Sequence, residues 1–196
     1  MNKFDEDLYD FVIKEENFEA AFEIGNRFKI YKEKLIKNFW SKVINNLESI
    51  IKQSNDSKLK NCIVSDEDII KTNGAISMYN AEYDSKNYEN VSVSTSFFNW
   101  GEGKITNGLF FNSDEIKSIN KLKIIKYCEK QYKSWNMHPD YTLTIYKFLP
   151  DNFNDYETLR KIIPAGEGLL AEEYAESLIS THLELYPLIE KFGVKF

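Results

Sequence analysis

Arginine is almost absent from this chain, and cysteine and histidine are scarce. Among 25 basic residues, Arg27 and Arg160 are the arginines, so the planar, two-pronged binding of phosphate or carboxylate that arginine provides is nearly excluded. The two cysteines, Cys62 and Cys128, lie far apart without the spacing of a metal site, and two histidines do not complete one. We therefore predict reduced, buried thiols, no metal and no cofactor.

Long hydrophobic runs are missing as well. No apolar stretch approaches the roughly 20 residues of a membrane-spanning helix. The N-terminus, MNKFDEDLYDF, is acidic and lacks the apolar core of a signal peptide. We expect a cytoplasmic protein without a membrane partner. A net charge of −6 also argues against a general nucleic-acid binder, which normally carries a basic excess.

Aromatic side chains, by contrast, are abundant. The 196 residues include 14 Phe, 12 Tyr and 3 Trp, and 42% of the chain is hydrophobic. Such a composition is typical of a folded domain and not of a disordered chain. Because aromatic side chains carry large apolar areas, a dense core or an aromatic-lined surface is predicted.

The longest periodic segment is residues 27–53, which contains neither Pro nor Gly. Its apolar residues recur every three or four positions, which predicts one helix laid against a broad surface such as a sheet. The residues expected to pack on the sheet are Phe28, Tyr31, Leu35, Phe39, Trp40, Val43 and Leu47. The opposite face is rich in lysine.

A separate acidic helix is predicted over residues 5–24. This segment carries eight acids and Lys14, and Gly25 is expected to break the chain after it. The opposite charges of the two helices favour a hairpin in which the acidic helix lies beside the lysine-rich one, although exposed ion pairs contribute little individually.

The rest of the chain alternates between strand-like and helix-like patterns. Four segments read as strands: 75–83, 91–100, 105–111 and 141–148. Three segments read as helices: 112–135, 155–163 and 167–192. Ser65 followed by Asp68 resembles a capping box and predicts a short helical turn. The order α-α-β-β-β-α-β-α-α predicts one α+β domain over 1–196, with an antiparallel or mixed sheet of about four strands packed with long helices.

One motif carries an enzyme hypothesis. Glu102-Gly103-Lys104 has the E-x-K letters of the PD-(D/E)XK nucleases, and the β-β-β-α-β run from 75 to 148 loosely resembles their core topology. The resemblance implies a metal-dependent nuclease or an inactive relative, with Glu102 and either Asp84 or Glu82 as metal-binding carboxylates and Lys104 beside the phosphate. A hairpin turn flanked by glycines accounts for the same letters.

A second alternative is single-stranded nucleic-acid binding. The aromatic residues between 79 and 100 would stack bases on a sheet face, if the lysines of 29–42 and 117–133 converged into a basic groove. His182 lies on the apolar stripe of the last helix, and we interpret it as a core histidine with a hydrogen-bond partner.

The preferred hypothesis is a non-enzymatic protein-binding domain of the inhibitor type. Segregated charge and abundant aromatics suit a charge-steered protein interface. The acidic segments 5–24 and 167–184 would suit a basic, nucleic-acid-handling partner, as expected of an immunity or anti-defence inhibitor from a phage or other mobile element; nucleic acid itself is a less favoured partner. The predicted binding residues are Asp5, Glu6, Asp7, Asp10, Tyr83, Tyr88, Trp100, Glu172, Glu173 and Glu176.

Overall fold

The structure, a computed structural model, describes residues 3–60, 62–67, 75–80, 92–99, 103–112, 118–138, 143–163 and 169–192. Within these ranges the chain forms five helices and six strands. In chain order they are α1 (Lys3–Val12), α2 (Glu15–Gln53), β1 (Cys62–Glu67), β2 (Ala75–Asn80), β3 (Ser92–Asn99), β4 (Lys104–Asn112), α3 (Ser118–Gln131), β5 (Asn136–His138), β6 (Leu143–Asn152), α4 (Tyr156–Ile162) and α5 (Leu169–Phe192). The predicted α+β class and the order of helices and strands are confirmed.

The strands form one antiparallel sheet in the order β1-β2-β3-β4-β6-β5. In the register of β3 and β4, Thr95 lies opposite Leu109 and Phe97 opposite Asn107, so these four side chains share a face. All four are buried, and Asn107 bonds to Ser177 of α5. The helix α5 therefore covers this face of the central strands.

Two strands extend the sheet beyond the predicted set. The helical turn predicted from Ser65 is wrong, because Cys62–Glu67 is a strand that pairs with β2 along its whole length. Its sequence, CIVSDE, does not alternate between apolar and polar residues, yet Cys62 and Val64 pack against the core while Ile63 is exposed. At the other edge, β5 pairs with β6. A strand of three residues is too short for periodicity to reveal, because its existence depends on the partner strand.

The break predicted at Gly25 is also wrong. Helix α2 runs without interruption from Glu15 to Gln53, and Glu23 accepts a 3.0 Å hydrogen bond from Arg27 across the glycine. The chain instead turns before α2, where Lys14 has an extended backbone. An interior glycine costs a helix only about 1 kcal/mol, too little to divide a long segment of strong helix formers. The predicted acidic hairpin is therefore absent: residues 15–24 continue the lysine-rich helix.

The core consists of two clusters. In the first, five aromatic rings from α2, β3, α5 and the turn after β6 meet with centroids 5.1 to 5.8 Å apart: Phe39, Trp40, Phe97, Phe153 and Tyr174. The second cluster joins α3 and the end of α5 to the sheet through Ile124, Cys128, Leu109, Ile145 and Leu185. Helix α5 contributes to both clusters and so holds α2 and α3 on the same side of the sheet.

Truncation of Leu47 tests the first cluster. Leu47 is fully buried, so Leu47→Ala should lower the free energy of unfolding by about 2 to 5 kcal/mol, measured by urea denaturation. Leu122→Ala is the matched control, because Leu122 is 57% exposed on α3 and its loss should change stability by less than about 0.5 kcal/mol. Equal effects of the two substitutions would contradict the assigned core.

Candidate functional site

The main exposed apolar surface lies at the N-terminal end of the chain. We call residues 3–31, comprising α1 and the first part of α2, the helical arm. Ten large hydrophobic side chains of the arm are 48 to 64% exposed: Leu8, Tyr9, Phe11, Ile13, Phe18, Phe22, Ile24, Phe28, Ile30 and Tyr31. The arm meets the rest of the structure near Lys32, whose Nζ lies 2.6 Å from Asn154 Oδ1.

The exposed apolar residues of the arm continue a stripe whose other half forms the core. At 3.6 residues per turn, Phe18 and Phe22 lie on the same side of α2 as Val43 and Leu47. The C-terminal half of this stripe is buried, whereas Phe28 and Tyr31 are 55% and 57% exposed. The prediction that Phe28 and Tyr31 pack on the sheet is therefore wrong, because the sheet covers α2 only from about Leu35 onward.

The charge of the arm changes sign along its length. Residues 5–23 carry eight acids and one basic residue, Lys14. Five basic residues then follow within α2, partly beyond the arm: Arg27, Lys29, Lys32, Lys34 and Lys37. The predicted binding residues Asp5, Glu6, Asp7 and Asp10 all lie exposed on α1. Because no helical hairpin forms, the acids of residues 15–23 are exposed on α2 itself, where Glu23 pairs with Arg27.

The remaining predicted binding residues divide into two groups. Glu172, Glu173 and Glu176 lie exposed on the first turns of α5, a helix that packs on β3, β4 and α2. They form a second acidic patch, on a different helix from the acids of α1. Tyr83, Tyr88 and Trp100 lie outside the described residues.

Three residues of the nuclease hypothesis, Glu102, Asp84 and Glu82, also lie outside the described residues. Lys104 is the exposed first residue of β4, paired with Asn152. Its neighbour Gly103 has φ +76°, and its carbonyl oxygen accepts a hydrogen bond from the Phe153 amide. Across the described ranges, no three His, Cys, Asp or Glu side chains gather as metal ligands.

The lysines invoked for nucleic-acid binding lie on helices in different parts of the core. Helix α2 packs in the cluster of Phe39 and Trp40, whereas α3 packs in the cluster of Ile124 and Cys128. Convergence of the two lysine sets on one groove, which that hypothesis requires, therefore gains no support from the packing of the helices.

A partly buried cysteine and a buried histidine meet between β1 and α5. His182 Nε2 lies 3.7 Å from Cys62 Sγ and 3.4 Å from the Lys58 carbonyl oxygen, and its Nδ1 lies 2.9 Å from Thr95 Oγ1. The thiol of Cys62 donates to the same carbonyl. Since a carbonyl only accepts, Nε2 carries the proton and Nδ1 accepts from the Thr95 hydroxyl. The contact of Cys62 with His182 was not predicted from the sequence, because a turn was predicted at Ser65 and no strand at residues 62–67.

The environment of this pair suppresses reactivity. Burial lowers the pKa of His182 to about 4 and raises the pKa of Cys62 to about 11. At neutral pH the imidazole is uncharged and the thiol is protonated, so neither a strong base nor a thiolate nucleophile is present. His182 is thus a core histidine with hydrogen-bond partners, as predicted.

A second buried polar cluster ties α4 and α5 to the end of β6. Asp151 is buried and accepts a 2.7 Å hydrogen bond from Lys161 and a longer one, 3.4 Å, from the Tyr174 hydroxyl. Burial and the Asp151 carboxylate raise the pKa of Tyr174, so its hydroxyl remains a donor. These contacts join neighbouring elements and point to a structural role.

No protein-family model matches this chain, and no curated protein or solved structure matches it at a significant level. Among the helices of the described ranges, none combines the length and apolarity needed to cross a membrane. Inferences about function therefore rest on the surface of the molecule itself.

Substitution of Gly103 tests whether the E-x-K turn is dictated by backbone geometry. A methyl group on Gly103 would overlap Asn152 Oδ1 and lie 2.7 Å from the Asn154 backbone nitrogen. Together with the left-handed backbone, this should make Gly103→Ala cost at least about 1 to 2 kcal/mol of stability in urea denaturation. Gly103→Asn separates the causes, because asparagine tolerates positive φ but keeps the overlap. Wild-type stability in both variants would contradict this geometry.

The pH dependence of stability tests the burial of His182. Its pKa is lowered in the folded state, so the unfolded chain binds the extra proton and stability falls as pH drops from 6.5 towards 4. Between pH 7 and 4.5 this contribution amounts to about 2 to 3 kcal/mol. His182→Gln lacks the titration, so wild type should lose that much more than the variant over this range. Parallel losses in denaturation experiments would refute the assignment.

Proposed function

We propose that this chain is a non-enzymatic protein-binding domain whose binding element is the helical arm. The observation that carries the proposal is the exposure of ten large hydrophobic side chains along residues 8–31. Among the described residues, the Cys62 thiol is partly buried and the His182 imidazole is buried, and both are in unreactive protonation states.

Exposure of such an apolar surface to water carries a free-energy cost. Soluble monomers rarely expose large contiguous apolar patches, and those that do generally use them to bind another protein. The arm also concentrates Phe and Tyr, the side chains enriched at interface hot spots. Burial of these side chains against a partner would recover the hydrophobic free energy that exposure forfeits.

The charge of the arm indicates which kind of protein surface would bind it. Acidic residues flank the aromatic positions from Asp5 to Glu23, so a complementary surface has apolar pockets bordered by basic side chains. Such a surface occurs on proteins that handle nucleic acid, and an inhibitor that occupies it in the cytoplasm is the narrower form of the proposal. The acids Glu172, Glu173 and Glu176 would then form a second acidic contact.

The test compares a pair of phenylalanines of the arm with a single phenylalanine of similar exposure on the sheet. Phe18→Gln/Phe22→Gln removes two aromatic side chains of the arm, which are 55% and 59% exposed, whereas Phe148→Gln removes one that is 53% exposed on β6. Tagged protein is purified from its native cells, the stoichiometric protein partner is identified, and the affinity of the purified pair is measured by calorimetry. The arm variant should bind at least about tenfold more weakly, and Phe148→Gln should bind as wild type does.

Two results would overturn the proposal. The first is that no protein, including a second copy of this chain, associates at stoichiometric level. The second is that Phe18→Gln/Phe22→Gln binds its partner as tightly as Phe148→Gln does. Circular dichroism of each variant confirms that the loss does not reflect unfolding, since the substituted side chains lie outside the core.

A further inference from the structure

We infer that the arm pairs with the arm of a second copy of the chain, as two antiparallel α2 helices related by a two-fold axis near Gly25. The inference rests on the proposed function and names the protein that covers the exposed stripe. A partner for the acidic half of the arm must offer apolar side chains bordered by basic groups. Residues 27–37 of the same helix are such a surface.

Charge complementarity supports the second copy and sets its direction. Residues 15–24 contain four acids, Glu15, Glu16, Glu19 and Glu23, and no basic residue. Residues 27–37 contain five basic residues and Glu33, which leaves a net charge of +4 against −4 for the first segment. Antiparallel pairing places each segment against its opposite in the other copy, whereas parallel pairing would place acid on acid and base on base.

The charged side chains also lie on matching flanks of the helix. At 100° per residue, Glu15, Glu19, Lys29 and Lys37 fall within one sector of about 80°, which begins on the apolar stripe between Phe18 and Phe22 and also holds Glu33. In an antiparallel pair the same flank of both helices meets. Reflection about Gly25 places Glu19 within one turn of Lys29 in the other copy, and Glu15 within one turn of Lys37. Each contact occurs twice, as a two-fold axis requires.

Gly25 occupies the position where two such helices would cross. It lies on the exposed stripe, and a Cβ built there meets no atom within 4 Å, so the fold of one copy gives no reason for a glycine. A glycine weakens a helix interior but permits close approach of another backbone. Gly25 also lies almost midway in sequence between two points. One is Lys14, the residue before α2, and the other is Leu35 and Ile36, where α2 first packs on the core.

The pairing would cover most of the stripe and leave α1 free. Under the same reflection, Phe22 of one copy lies at the same height along the pair as Phe28 of the other. Helix α1 precedes the paired segment, and its acids Asp5, Glu6, Asp7 and Asp10 remain at the two ends of the pair. Those acids stay accessible to the basic partner described under the proposed function.

Charge reversal provides the test. Sedimentation equilibrium of the full chain at micromolar concentration should give twice the 23.0 kDa mass of one copy. Glu15→Lys/Glu19→Lys and Lys29→Glu/Lys37→Glu should each weaken self-association at least about tenfold, because like charges then face each other. An equimolar mixture of the two variants should recover a heterodimer, since this flank then carries four lysines beside Glu33 in one variant and acidic side chains alone in the other.

The controls distinguish pairing from misfolding and from other partners. All four substituted side chains are exposed, so near-UV circular dichroism of the core should not change. Gly25→Leu should also weaken association by preventing close approach, whereas Phe148→Gln should not. A monomeric wild type, or a variant mixture that stays monomeric, overturns the inference. If a different protein then binds through Phe18 and Phe22, the proposed function survives its failure.

Discussion

The contact of Phe39 and Trp40 with the rings of Phe97, Phe153 and Tyr174 is the interaction on which the rest of the structure depends. It joins the C-terminal half of α2 to the sheet, to the turn after β6 and to α5 in one aromatic cluster. Because α2 has no break, this contact also fixes the direction of the arm. The buried half of one stripe thereby determines how the exposed half is presented.

Much of the fold could be predicted from the sequence because its patterns are local. Phe39, Val43 and Leu47 recur at helical spacing and are buried as predicted, and the alternation at Thr95 and Phe97 marks β3. Strand β1 could not be predicted in this way, because its sequence does not alternate between apolar and polar residues. Its residues form a strand through pairing with β2. The predicted break at Gly25 was wrong for a related reason. The tendency of glycine to interrupt a helix was weaker than the helix propensity of the residues on both sides of it.

The candidate site could be predicted only in part. The acids of α1 were found from composition, but Phe28 and Phe39 belong to one pattern and differ in exposure, 55% against 3%. What separates them is where the sheet ends beneath α2, a long-range property that no helical period encodes. The contact of Cys62 with His182 is equally non-local, since it joins residues 120 positions apart.

The continuity of α2 has a consequence for how the arm comes to exist. Helix formation in water begins with an unfavourable step, because the first turn must be formed before propagation is favourable. Here the core supplies that nucleus at Phe39–Leu47, and the arm grows from it as an extension of an already formed helix. Loss of the core would therefore melt the arm as well, so the exposed apolar surface of the arm is displayed only by chains that have completed folding.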